Sequence, residues 1–251
     1  MSKAIKDTVT MSSRSLRLSF RNVEELGAIT ITPIMMVILF IYIFGSGADD
    51  VQAFTNGQTP SVIVFTLTIG AFFAAYSVHS DMHKGVIDRF RSMPLFQPSV
   101  LAGHVSSSII RCLITFFVVL GITVLLGFRP HAGVLDWIII LGILFLTTIM
   151  VTWVSIFIGL IVNASESIAS FALMVQIMPF LSTGFSVPDN FITPVRLFFT
   201  HQPFSPIINS IRGLTMGVAN TGEIITAVAW CVVLTIVFYV LSMNVYSRKA
   251  R

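Results

Sequence analysis

The sequence predicts an all-α integral membrane protein with six transmembrane helices, an N-terminal amphipathic helix at the interface, and short re-entrant helices before the sixth span. Three observations carry this. Hydrophobic residues make up 55% of the 251 and charged residues only 10%, far from the roughly 45–50% and 25% of a soluble domain. The apolar residues gather into separate runs of about 17 to 26, each able to cross a hydrocarbon layer roughly 30 Å thick as a helix. The basic residues fall almost entirely on one side of the resulting topology.

The first segment, 1–27, is polar and amphipathic. From Ser12 to Leu26 it sets Leu16, Phe20, Val23 and Leu26 on one stripe and Arg14, Arg17, Arg21 and Glu24 largely elsewhere. That pattern predicts a helix lying in the inner interface. No small-residue cleavage site follows the first apolar run, so the run is expected to stay as a span rather than leave as a secretory signal.

The membrane domain is expected over 28–245, with spans at Ala28–Phe44, Ser61–Val78, Ile109–Phe128, Trp137–Val162, Ile168–Phe185 and Ile224–Val245. Pro33 falls near the start of the first span, where a missing N–H is least costly. Six crossings return both termini, including the tail 246–251, to one side. With that side in the cytoplasm, Lys3, Lys6, Arg14, Arg17, Arg21, Lys84, Arg89, Arg91, Arg248, Lys249 and Arg251 lie inside, and only Arg129, Arg196 and Arg212 lie outside. The net charge of +4 therefore reads as a topology signal and not as a nucleic-acid surface. Arg111, near the inner end of the third span, is expected to snorkel to the interface.

Between the second and third spans, HSDMHKGVIDRFRSMPLFQ is unusually charged for this chain. A short amphipathic cytoplasmic helix at about 80–93, ending before Pro94, fits it. On the opposite side, Gly45 to Pro60 reads as a polar loop with Asp49 and Asp50, and Arg129 to Val134 as a tight turn. The long segment at about 186–223 carries Pro188, Pro194, Pro203 and Pro206 around apolar pieces and predicts two short helices dipping into the membrane.

No G-x-x-x-x-G-K-[ST] phosphate loop occurs, and the cytoplasmic residues are too few for a nucleotide-binding domain. H-E-x-x-H and G-x-S-x-G are also missing, so no catalytic residue is assigned. His79, Asp81 and His83 have an i, i+4 imidazole spacing compatible with a metal, but a solvated helix face explains them equally well, and no metal site is assigned. Cys112 and Cys231 fall in spans and suggest no disulfide framework. The centres of the spans lack ionisable residues, whereas ion-coupled carriers need buried acids, bases or broken helices there. Energy then has to come from a motor outside this chain, and the charged helix from Asp81 to Ser92 is the handle for it.

Three stretches, FRNVEELGAITITPIMMVILFIYIFG at 20–45, HKGVIDRFRSMPLFQPSVLAGH at 83–104 and HQPFSPIINSIRGLTMG at 201–217, resemble the type-2 ABC exporter permeases, and specifically their daunorubicin-resistance-like branch. The resemblance implies the permease subunit of a drug or antibiotic exporter in a bacterial cell membrane, multi-pass with both termini cytoplasmic. It implies two copies of a separate ABC ATPase subunit that bind ATP and Mg, this chain itself holding no cofactor, and a second copy of this permease or a related one. The helix at 80–93 becomes a coupling helix docked on the ATPase.

Within that helix, Asp81, Lys84, Asp88, Arg89 and Arg91 are expected to steer docking, while Ile87 and Phe90 supply the buried anchor. Phe72, Phe73, Tyr76, Phe116, Phe117 and Gln176 are the candidates for the translocation path. Alternatives are export of a lipid-linked glycan by the same machinery, or an ion-coupled secondary carrier. The stretch GSGADDVQAFTNGQTPSVIVF departs from the apolar-aromatic outer loop of many relatives.

Overall fold

A computed structural model describes residues 9–17, 23–83, 98–162, 164–185 and 192–248, and every regular element among them is helical. The helices are α1 (9–17), α2 (Val23–Val37), α3 (Val51–His83), α4 (Pro98–Leu125), α5 (Val134–Ile161), α6 (Ser165–Ile177), α7 (Thr193–His201), α8 (Phe204–Met216) and α9 (Thr221–Arg248). A π-helical stretch, Ile38–Ile43, and a 3-10 turn, Gly45–Gly47, continue α2. Among the described residues, five helical stretches are long and apolar enough to cross a membrane: Thr30–Gly47, Val51–His83, Leu101–Leu125, Val134–Ile161 and Thr221–Arg248.

Helix α3 is the axis of the bundle and packs against α2, α4, α5, α6 and α8. Its closest partner is α5. A Cβ placed on Gly159 would collide with the carbonyl of Ala75, so the two backbones touch where only hydrogen fits between them, a small-residue crossing typical of membrane helices. The main core joins Val62, Ile63 and Leu67 of α3 to Phe116 of α4, Ile140 and Leu144 of α5, and Ile207, Ile208 and Ile211 of α8.

Several expectations are corrected. The stretch Gly45 to Pro60 is not a loop, because α3 begins at Val51. Asp50 starts it, its Oδ1 accepting from the Ala53 N–H at 3.0 Å and its carbonyl from the Phe54 N–H at 3.0 Å, the bonding of an N-cap. Thr55 and Thr59 turn their hydroxyls back onto the carbonyls of Val51 and Thr55, both at 2.8 Å, which removes their demand for water and lets both be buried.

Helix α4 starts at Pro98, well ahead of the expected Ile109. Its added turns carry His104, Ser107 and Ser108, all buried, with the Ser107 hydroxyl on the His104 carbonyl at 2.9 Å. Arg111 thus lies about 20 Å along the helix. It is 5% exposed and donates through Nη2 to Ser108 Oγ at 2.8 Å, inside the bundle and not extended to its edge.

The fifth expected span, Ile168–Phe185, overlaps the 13-residue α6, which at about 20 Å is shorter than the hydrocarbon layer. Pro179 follows it and the chain turns through Phe185. The end is capped from outside: the Gln202 amide donates to the carbonyl of Met178 at 3.0 Å, satisfying a carbonyl that the ended helix leaves open. The segment before α9 does hold two short helices. Pro194 stands at the start of α7, and Pro203 precedes α8, positions where a missing N–H is tolerated. Gly217, at φ 74°, ends α8 in the left-handed region. Asn220 then opens α9, accepting from the Gly222 N–H at 2.9 Å.

Candidate functional site at the coupling end

Of the expected coupling helix at 80–93, residues 80–83 belong instead to the last turn of α3, and the described chain resumes at α4. Lys84, Ile87, Asp88, Arg89, Phe90 and Arg91 lie outside the described residues, as does the rest of 84–97. What the structure describes is how both ends of that segment are held.

Asp81, in the last turn of α3, is 8% exposed and faces inward. Arg14 of α1 reaches it with two nitrogens, Nη1 to Oδ2 at 3.2 Å and Nη2 to Oδ1 at 3.3 Å. This is the parallel fork that fixes geometry as well as charge. From the other side, His104 Nε2 of α4 stands 3.4 Å from Asp81 Oδ2, and its Nδ1 lies 3.2 Å from Ser77 Oγ. A proton on Nε2 directed at Asp81 leaves Nδ1 to accept from Ser77 in the neutral ring, so the ring's two partners select one tautomer. His104 is 2% exposed.

Three helices are therefore tied at one carboxylate. The fit of α1 adds to this, since a Cβ on Gly103 would stand 3.0 Å from the Met11 carbonyl carbon. The glycine lets the N-terminal helix rest on α4 backbone to backbone. Helix α1 is held by protein as well as by its amphipathic pattern, its buried face being Met11 and Ser15. His79 and His83 lie side by side, ring centroids 4.2 Å apart and planes tilted by 49°. Among the described residues no group of three metal-ligating side chains gathers.

The sequence marks Asp81 but not Arg14, Ser77 or His104 as its partners. The one signal available was the presence of isolated polar residues on otherwise apolar helix faces.

Among the described residues, the six candidates for the path stand in several places. Phe116, buried, lines a small cavity with Leu67, Cys112, Leu144 and Thr148. Phe72 lines another with Thr68, Ser155 and Val175. Phe117 and Tyr76 face outward, at 61% and 50% exposure, Phe73 pairs with Phe72 at 5.7 Å, and Gln176 is half-buried. The aromatic residues that do converge are others. Phe180 stands 4.4 Å from Phe65, 5.4 Å from Phe40 and 4.8 Å from Phe185 by ring centroid, and Phe40 and Phe44 pair at 5.6 Å. They come from α2's π-helical end, α3 and the turn after α6, too far apart in sequence for any periodicity to join them.

A bundle of long apolar helices, with a buried ionic joint flanking a charged connecting segment, is the architecture of a multi-pass membrane protein. The chain belongs to the ABC-2 type transporter family, which it matches over residues 6–216. It is 26% identical over 249 residues to the daunorubicin resistance ABC transporter permease protein DrrB1 of Streptomyces coeruleorubidus, covering 98% of this chain and 88% of the relative. It is 27% identical over 237 residues to the probable doxorubicin resistance ABC transporter permease protein DrrC of Mycobacterium tuberculosis, covering 90% and 83%.

Proposed function

We propose that this chain is the membrane-spanning permease of an ABC exporter that moves an amphipathic drug, antibiotic, peptide or lipid-like molecule outward across a bacterial cell membrane. A separate ATPase, present in two copies, binds ATP and Mg and docks on the segment 80–93, and the permease acts as a pair. In this reading the chain crosses six times, with α6 and the turn after it forming the fifth crossing and both termini cytoplasmic. Helices α7 and α8 are re-entrant.

The observation that carries the reading is the joint at Asp81. ATPase closure acting on 84–97 would meet α3 and α4 at ends already locked to each other and to α1, so displacement passes into the bundle. The names of the relatives support a drug-resistance role, and the burial of α8 in the main core supports re-entrance, since irregular backbone at membrane depth needs protein around it.

The test is ATP-dependent transport. The permease and its ATPase are co-expressed, inverted vesicles are prepared, and uptake of an anthracycline, a hydrophobic peptide and a lipid-linked glycan is compared. ATP-dependent uptake of the anthracycline or peptide is expected. Uptake of the glycan alone would replace the substrate class, and uptake driven by an ion gradient without ATP would overturn the reading.

A further inference from the structure

At the end of the bundle opposite the Asp81 joint, a cavity of about 270 Å³ opens between the first turns of α3, the turn after α6, and α8. Its walls include Phe54, Gln58, Thr183, Phe185 and Arg212. Arg212 holds its neighbours with one edge of its guanidinium. Nε donates to the Gly57 carbonyl at 2.9 Å, and Nη2 to the Gly184 carbonyl at 2.7 Å and to Ser61 Oγ at 3.3 Å.

These partners are all neutral. Among the described residues no carboxylate faces Arg212 and nothing accepts from its Nη1. No charged group among the described residues offsets its burial. A partly desolvated cation normally finds a counter-charge.

Beside it, the Gln58 side-chain oxygen is buried with no hydrogen-bond partner. Exchange of the amide's two ends would offer donors there in its place. The cavity thus presents two N–H groups of Nη1 and a pivoting amide. Donors from two side chains on different helices suit a tetrahedral oxyanion, whose oxygens point in several directions. Phe185 carries the wall inward, with Phe40 at 5.0 Å and Phe180 at 4.8 Å, so an apolar remainder has an aromatic surface to follow. The hydrogen bonds to Gly57 and Gly184 explain why a long donor stands at position 212. They do not explain a positive charge.

We propose that this cavity is a binding site for a phosphate headgroup, with Arg212 Nη1 and the Gln58 amide as its ligands and Phe185 receiving the apolar part of an amphiphile. The phosphate comes either from a bilayer lipid or from the surrounding water.

The test uses the full chain in maltoside micelles, with apparent Kd taken from thermal-shift titrations with short-chain phosphatidylglycerol, the matching neutral diacylglycerol, and inorganic phosphate. Phosphatidylglycerol is expected to bind about tenfold or more tightly than the diacylglycerol, and Arg212→Gln to lose about tenfold, the size of one charge-assisted bond. Gln58→Ala keeps every Arg212 bond and decides the matter if Arg212→Gln does not fold; a loss of about threefold is expected, as for a neutral hydrogen bond. Weak binding of inorganic phosphate assigns the site to a lipid headgroup, and binding as tight as that of phosphatidylglycerol assigns it to free phosphate. Equal affinity for diacylglycerol and phosphatidylglycerol, or wild-type affinity in the variants that fold, would overturn the proposal.

Discussion

Arg14 and Asp81, 67 positions apart, meet through two guanidinium–carboxylate contacts of 3.2 and 3.3 Å. The pair binds the N-terminal helix to the exit of α3, at the root of the connecting segment. Arg14 keeps 31% of its side chain exposed against 12% for Asp81, so solvent weakens the pair without removing it. A double-mutant cycle with Arg14→Ala and Asp81→Ala is expected to give a coupling energy of about 1 kcal/mol in detergent-denaturant unfolding. His104→Ala in a wild-type background should destabilise more than His104→Gln, which retains a hydrogen-bonding group for Asp81. Additivity of the two alanine changes would show that the pair contributes nothing.

For the docking segment, Arg89→Glu combined with Phe90→Asp should abolish association with the ATPase while membrane insertion is unchanged. Co-purification of normal amounts of ATPase with that variant would defeat the assignment.

The crossing of α3 and α5 gives a packing prediction. Because the obstacle facing Gly159 is the carbonyl of Ala75, Gly159→Ala should destabilise by about 1–3 kcal/mol, and Ala75→Gly should fail to restore it, the clash being with backbone. Restoration by Ala75→Gly would mean that the helices separate on the Ala75 methyl instead.

Topology can be read by cysteine labelling. Asp50 and Ser247 are both exposed, whereas Cys112 and Cys231 are 2% and 1% exposed and should give little background with a polar reagent. Cysteine at 50 is expected to label from outside intact cells and cysteine at 247 only after permeabilisation. The reverse pattern would invert the chain in the membrane.

The apolar runs were legible because each needs only its own residues to declare a helix. Their ends were not, for a common reason. Asp50, Thr55 and Thr59 look like a loop when counted as polar, yet one caps α3 and two bond their own helix. His104 likewise looks as though it belongs at the membrane edge until α1 and α3 are seen to cover that turn of α4, and Arg111 is buried about two turns further along. The segment after α6 reads as more of the same helix because Phe180, Leu181 and Phe185 are apolar, while Pro179 stands where the helix has ended. At the site, the charged segment stood out by contrast with its flanks, but its anchors did not. Partners such as Arg14 and His104 are chosen by tertiary approach, to which Gly103 contributes through a hydrogen where other residues carry a side chain.

Helix α3 runs 33 residues, roughly 50 Å, and its proline falls at position 60, between Gly57 and Ser61. Arg212 grips the chain on both sides of that proline, as a splint is set across a fracture. The helix therefore has its one weak point clamped, and below it a continuous rod about 30 Å long reaches Asp81. Such a rod has no means of keeping a tilt to itself. A tilt imposed at the charged end would be carried along it toward the clamp at Arg212.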